Sequence, residues 1–165
     1  MLKTRESRKR LACPAPSQIT LYGGSLPLVT LSLEAGRTRE EKHQLADAVY
    51  EAMRAAIQIP ENDRFVAIRE HAAGDLVADR GYLGVARSEH PVFVEITLRR
   101  GRPAERKQAL YREIAQRMSA TGLVRVEDVL IVLKENDTAD WSFGNGVAQY
   151  VEREQKDAEQ KQAAR

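Results

Sequence analysis

An internal repeat constrains the fold of this chain more than any other feature. When Gly36 is placed over Gly101, an offset of 65 residues, the two segments align over 35 positions without a gap. Chemically similar residues then coincide: Lys42 with Lys107, Leu45 with Leu110, Asp63 with Asp128, Val66 with Ile131, Ile68 with Leu133 and Glu70 with Glu135. Self-similarity at a fixed offset predicts two copies of one structural unit.

Each half of the repeat has the pattern strand, helix, strand. Alternating apolar residues predict a first strand over 28–33. Thr38 and Glu41 have the spacing of a capping box, which predicts a helix running to about residue 57. The second strand is predicted over 64–70. Two units of this kind predict parallel strand pairs, because a helical crossover brings parallel strands together.

The second half repeats this pattern and adds a turn signal. Alternating apolar residues over 92–98 predict the third strand, and Pro103 suits the first turn of the second helix. Five apolar residues at 129–133 predict a fourth strand that is buried on both faces. Asn145-Gly146 is typical of a hairpin turn.

The expected architecture is therefore an α+β (α/β) domain over 27–150, with a tandem β-α-β repeat. It would form one four-stranded sheet with both helices on one face. The other face would be bare and apolar, which predicts association with further copies of the chain. Residues 71–91 form a long loop of the kind that is often functional. We expect 151–165 to be a charged, solvated helical or frayed tail.

The net charge of +2 conceals an uneven distribution. Residues 1–10 carry five basic residues and one acidic residue, 11–26 carry no charge, and the rest of the chain has 21 basic and 23 acidic residues. A domain-wide basic surface for nucleic acid is therefore not supported. No apolar run is long enough for a membrane span. The single cysteine, Cys13, lies in the leading segment, so the domain suits the reducing cytoplasm.

Most standard catalytic and binding motifs are absent. The sequence has no P-loop, no metal-spaced set of Cys and His, and no Gly-x-Ser-x-Gly element, so we predict neither a metal nor a cofactor. Three arginines, Arg99, Arg100 and Arg102, instead lie between a strand and a helix. Arginine binds carboxylates in a fork, and a helix start favours anions. This cluster predicts a site for a small carboxylate, although solvated arginines are the alternative.

Residues 27–150 resemble the tautomerase superfamily, also called the 4-oxalocrotonate tautomerase superfamily, and most closely its branch containing malonate semialdehyde decarboxylase. The resemblance covers about three quarters of the chain, and Asp-Trp-Ser-Phe-Gly at 140–144 is its most specific part. The other stretches that carry it are Pro27-Leu28-Val29, Glu34 to Thr38, Pro60 to Arg64, Gly84 to Ser88, the arginine cluster and Glu135-Asn136-Asp137.

The resemblance implies roles for particular residues. The family uses an amino-terminal proline as acid or base, and Pro27 matches it. Asp63 would be a polar partner of the amine, although capping of the strand is equally expected. Two arginines would bind the substrate carboxylate: their spacing matches Arg100 and Arg102, but one extra residue here also lets Arg99 take either place. Trp141 and Phe143 would form an apolar wall, unless they belong to the core or to the interface of a homotrimer, the assembly of relatives of this length.

One departure from the family pattern concerns Pro27 itself. Within the chain its nitrogen is an amide and cannot exchange a proton. Either residues 1–26 are a genuine extension, in which case the protein is inactive or activated by cleavage, or translation starts at Leu26 and loss of the initiator exposes Pro27. We favour the later start, because Gly23-Gly24 can be encoded by a ribosome-binding sequence.

The expected function is a cofactor-free tautomerase of small enol or keto acids. Decarboxylation or hydration of a 3-oxo acid is the alternative, since it would use the same proline and arginines. A non-catalytic homologue that keeps residues 1–26 is the second alternative, and nucleic-acid binding by the basic leading arm is the weakest.

Overall fold

The computed structural model describes residues 27–163. Predictions about the leading 26 residues, including Cys13 and the start site, lie outside the described residues. The principal elements are β1 (Leu28–Glu34), α1 (Arg39–Ile57), β2 (Phe65–His71), β3 (Val92–Arg99), α2 (Ala104–Ala120), β4 (Val129–Asn136) and α3 (Gln149–Ala163). Three short 3-10 turns occur at Tyr82–Gly84, Val126–Asp128 and Thr138–Asp140.

The four strands form one mixed sheet in the order β2-β1-β3-β4. β1 pairs with β2 and β3 pairs with β4 in parallel, while the central pair β1 and β3 is antiparallel. Each parallel pair belongs to one half of the repeat, and the antiparallel contact joins the halves. The predicted tandem β-α-β architecture is confirmed.

Ion pairs and turns repeat at the same offset as the sequence. Lys42 binds Glu70 and Lys107 binds Glu135, each with a nitrogen–oxygen distance of 2.8 Å. The loop after the first strand of each half contains a glycine in the left-handed region, Gly36 at φ 119° and Gly101 at φ 111°. A side chain would be strained there, so these glycines let the chain leave the strand for the helix.

The core lies between one sheet face and both helices. α1 begins at the predicted capping box, in which Glu41 N donates to Thr38 Oγ1 and Thr38 N donates to Glu41 Oε2. Residues of β1, β3, α1 and α2 share one buried cluster, which places α1 and α2 on the same face as predicted. Its fully buried members include Val29, Leu31, Leu33, Leu45, Val49, Val94, Ile96, Leu98, Leu110, Ile114 and Met118.

The opposite sheet face is mixed in character, which corrects the expectation of a bare apolar surface. Leu28, Phe65 and Val132 are each about two fifths exposed there. Charged residues interrupt them, and Lys134 Nζ binds Glu95 Oε1 at 3.1 Å across the strands. The exposure of Val132 also shows that burial of β4 on both faces was wrong for the single chain, because Val132 lies on the face of the sheet that α1 and α2 do not cover.

The carboxyl-terminal region contains an unpredicted feature. Asn145-Gly146 forms a turn, but the hairpin prediction was wrong because α3 follows instead of a strand. α3 begins at Gln149 and so crosses the predicted boundary at residue 150. Its residues from 152 to 163 are exposed, as expected of a solvated helical tail. None of the described helices is long and apolar enough to cross a bilayer.

Candidate active site

The sheet topology brings the predicted site residues to one edge. β1 and β2 start there, and β3 and β4 end there, because β3 runs antiparallel to β1. Pro27 immediately precedes β1 and is buried. Asp63 lies just before β2, and Arg99 is the last residue of β3. Residues that are far apart in the sequence therefore share one end of the sheet.

Arg102 lies at the centre of the charged part of the site. Its Nη1 donates to the carbonyl oxygen of Arg99 at 2.7 Å. Burial lowers the pKa of the Arg102 guanidinium and Arg99 lowers it further, while Glu135 and Asp63 oppose the shift. A guanidinium stays charged near neutral pH regardless. The charges of Asp63 and Arg99 both act on the Arg102 guanidinium, so Arg102 lies within electrostatic reach of each of them.

Arg100 has a different environment from the other two arginines. Its Nε binds Asp137 Oδ1 at 2.7 Å, and its side chain is 60% exposed. Its backbone N–H donates to the Asn136 carbonyl oxygen, which extends the ladder between β3 and β4. Arg99, by contrast, is half-buried. The structure thus groups Arg99 with Arg102 and directs Arg100 to an exposed ion pair.

Four aromatic side chains form what we call the aromatic wall: Phe65, Trp141, Phe143 and Tyr150. Phe143 is its centre, with ring centroids 5.7 Å from Phe65, 5.5 Å from Trp141 and 5.9 Å from Tyr150. Trp141 and Phe143 stack within 2° of parallel. Neither belongs to the buried core cluster, and Phe143 is 37% exposed. Of the two alternatives to an apolar wall of the site, membership in the core is therefore not found for the single chain, and a place in a trimer interface stays a prediction.

Tyr150, on the first turn of α3, is a site residue that sequence reasoning missed. Burial raises the pKa of its phenol, the Asp63 carboxylate raises it further, and Arg153 and Arg99 oppose the shift. Tyr150 therefore joins the aromatic wall to the charged residues. The one sequence feature that could have drawn attention to Tyr150 is the apolar pair Tyr150-Val151 at the start of an otherwise charged segment.

Asn136 is a second residue that was missed as part of the site. Its Oδ1 accepts a hydrogen bond from Trp141 Nε1 at 2.8 Å. Since Asn136 is the last residue of β4, this bond ties the indole to the rigid sheet. A buried or half-buried indole N–H needs such a partner, and the bond fixes the orientation of the ring.

Other candidates lie away from this edge. His71 ends β2, and the loop 72–91 joins β2 to β3, so both lie at the opposite edge of the sheet. Tyr82 in this loop is 64% exposed. The loop is therefore not part of the site within one chain. Among residues 27–163, no three His, Cys, Asp or Glu side chains are grouped so that they could hold a metal ion.

Comparison with known proteins defines the class to which this fold and site belong. Two family models described as tautomerase enzyme match, one over residues 27–84 and the other over 63–144. The probable tautomerase YusQ of Bacillus subtilis (strain 168) is 39% identical over 127 residues, which are 77% of this chain and 100% of that protein. The chain belongs to the tautomerase superfamily.

Solved structures relate the chain to a particular branch. A crystal structure of a malonate semialdehyde decarboxylase inhibited by 3-bromopropiolate is similar, with a TM-score of 0.72 and 37% identity. The similarity covers 77% of this chain and 96% of that one. A fused 4-OT wild-type symmetric trimer has a TM-score of 0.60 and 28% identity, over 73% of this chain and 94% of that one. The resemblance to the decarboxylase branch is confirmed.

Proposed function

We propose that this protein is a cofactor-free tautomerase of small enol or keto carboxylic acids, and that the nitrogen of Pro27 moves the proton. The observation that carries the proposal is the burial of Pro27 at the sheet edge that also bears Asp63, Arg99 and Arg102. The first family match, which begins at residue 27, supports the same residue.

The chemistry requires that Pro27 be an amino terminus. A free α-amino group has a pKa of roughly 7.7–8.0. Burial and nearby arginines disfavour its cation and lower that pKa, so that the amine can accept and return a proton near neutral pH. Inside a chain the same nitrogen is an amide without a basic lone pair. Activity should therefore depend on exposure of Pro27 by a start at Leu26 or by cleavage.

We assign substrate binding to Arg99 and Arg102 rather than to Arg100. The first two are half-buried beside each other, whereas Arg100 is exposed and paired with Asp137. A guanidinium pair would hold the substrate carboxylate and stabilise the negative charge that develops on the enolate oxygen. Asp63 would orient the substrate or water near the amine.

The aromatic wall would exclude water from the reacting carbon. Excluding water strengthens the electrostatic interactions within the site, because the local dielectric constant falls. Tyr150 would contribute a neutral phenol as a hydrogen-bond donor. Burial supports this assignment, since it raises the pKa of that group.

Decarboxylation or hydration of a 3-oxo acid is the second candidate, favoured by the similarity to malonate semialdehyde decarboxylase. A protonated Pro27 would then polarise the carbonyl oxygen, so that the carbon–carbon bond to the departing carbon dioxide weakens. The two reactions differ in the protonation state of the same amine. A rate that falls with rising pH through the pKa of the amine would favour decarboxylation, and a rate that rises would favour tautomerisation.

The direct test uses protein that begins at Pro27, the same protein with Pro27→Ala, and the full chain. Turnover of phenylpyruvate or 2-hydroxymuconate is followed by absorbance, and decarboxylation of malonate semialdehyde is followed by product. The first protein should be active, and the other two should be weak or inert. If the protein that begins at Pro27 is inert and its Pro27→Ala variant behaves identically, the enzyme proposal is refuted and the non-catalytic homologue is favoured; equal non-zero rates would refute the role of Pro27.

We also propose that the chain forms a homotrimer through its open sheet face. The partly exposed Leu28, Phe65 and Val132 support burial of this face against another copy. The similarity to a fused symmetric trimer supports the same assembly. Native mass spectrometry or light scattering after size-exclusion chromatography measures the number of copies directly.

A further inference from the structure

The side chain of Gln149 joins the two ends of the segment from 143 to 149 by hydrogen bonds. Gln149 Oε1 accepts a hydrogen bond from the backbone N–H of Phe143 at 3.0 Å. The Nε2 of the same amide donates to the carbonyl oxygen of Gly144 at 2.9 Å. One side-chain amide thus bonds to two consecutive residues at the far side of the turn.

The turn that this amide spans has three residues of positive φ in succession. Gly144, Asn145 and Gly146 have φ of 131°, 60° and 68°. Glycine adopts this region without steric cost and Asn tolerates it, but two glycines also leave the turn conformationally free, so that contacts from other residues must fix it. The turn has one backbone bond of its own, from Val147 N–H to the Gly144 carbonyl at 3.4 Å.

Phe65 supports the wall from β2, but the segment that carries Phe143 has few other backbone contacts. α3 contributes no buried residue, so the segment is not fixed by the core. Phe143 contacts the other three rings of the wall, and its own backbone N–H is held by Gln149. Trp141 is tied separately to the sheet through Asn136. Phe143 is therefore the part of the wall whose position depends on Gln149.

We propose that Gln149 is a positioning residue whose amide holds Phe143, and with it the aromatic wall, over the proposed site. Without this amide the turn relaxes, the Trp141–Phe143 stack opens, and water enters. The effect on turnover rests on the proposed function, whereas the position of the wall does not. Because the wall would exclude water from the reacting carbon, and that exclusion strengthens the interactions that stabilise the transition state, its displacement should lower kcat more than it raises KM.

The chain supplies its own reporter for this proposal. Trp141 is the single tryptophan of the sequence, so fluorescence excited at wavelengths that tyrosine does not absorb reports on the wall. Gln149→Ala removes both bonds. Gln149→Glu keeps an acceptor for Phe143 N–H but places a carboxylate oxygen against the Gly144 carbonyl. A negative charge at the first residue of α3 favours the helix, so α3 should stay folded in Gln149→Glu. An effect of this variant on the wall is then due to the lost amide and not to unfolding of α3. Gln155→Ala, on the exposed part of α3, is the matched control.

The experiment compares Trp141 emission, iodide quenching and steady-state kinetics in protein that begins at Pro27. We expect both Gln149 variants to shift the emission to longer wavelength and at least to double the quenching constant, with the helix signal in circular dichroism retained. kcat should fall severalfold with KM changed less than twofold. Gln155→Ala should match the parent in all readouts.

Unchanged emission and quenching in both Gln149 variants would overturn the proposal, as would an opened wall with unchanged kcat in an active enzyme. If the Pro27 protein has no turnover, the proposed function fails by itself. Fluorescence then still supports or refutes the role of Gln149 in holding the wall.

Discussion

The division among the three arginines gives a quantitative prediction. Arg102 is half-buried and within electrostatic reach of Asp63 and Arg99, so a bond from it to a substrate carboxylate is partly shielded from water. A hydrogen bond to a charged group contributes roughly 1.5–3 kcal/mol. Because about 1.4 kcal/mol corresponds to a tenfold change, Arg102→Ala should lower kcat/KM by about 10- to 150-fold.

Arg100→Ala is the matched comparison within the same loop. Its ion pair with Asp137 is about 60% exposed on both sides, and pairs of this kind contribute roughly 0–1 kcal/mol. We expect kcat/KM to stay within about fivefold of the parent. Arg102→Lys should lie between the two, because the charge is kept and the fork geometry is lost.

The assay is steady-state turnover by protein that begins at Pro27, with unfolding in urea measured on each variant to exclude a loss of folded enzyme. A loss for Arg100→Ala as large as that for Arg102→Ala would refute the assignment of roles. So would a change smaller than about fivefold for Arg102→Ala.

Three further predictions concern the fold, the titration of Tyr150 and the assembly. Ile96→Ala should lower the free energy of unfolding by about 2–5 kcal/mol in urea, since the side chain is fully buried, whereas Val77→Ala, at 83% exposure, should leave it nearly unchanged. The raised pKa of Tyr150 stabilises the fold below pH ~10, and that contribution is lost as the pH rises through the higher folded pKa. Between pH 8 and pH 11, the free energy of unfolding in urea should therefore fall more for the parent than for Tyr150→Phe. An equal fall in the two proteins would contradict this. Val132→Lys places a charge on the open face beside Glu95, so light scattering should show fewer copies, and an unchanged assembly would argue against this face as the interface.

Much of the fold could be predicted from the sequence because the two halves of the repeat form the same interactions. The offset that aligns Lys42 with Lys107 and Glu70 with Glu135 also reproduces their ion pairs. Capping and alternation are local effects, so the strand and helix bounds are within a few residues of those predicted. The composition of the open face was harder to predict, because it depends on register across four strands.

The site was predicted less completely than the fold. Whether Arg99 or Arg100 joins Arg102 depends on which residue ends β3, and sequence patterns locate strand ends only approximately. Tyr150 and Gln149 were missed because their importance comes from tertiary contacts with Phe143, not from a pattern along the chain. The roles of Pro27 and Asp63, the domain boundaries and the cytoplasmic location stay predictions.

The proposed chemistry depends on a free Pro27 nitrogen. Protein that begins at Pro27 can be compared with protein that begins at Leu26, each released from the same cleavable fusion. The extra residue converts the amine into an amide and leaves every other side chain in place. We expect the Leu26 form to lose nearly all turnover of the enol acid. Equal turnover by the two forms would contradict it.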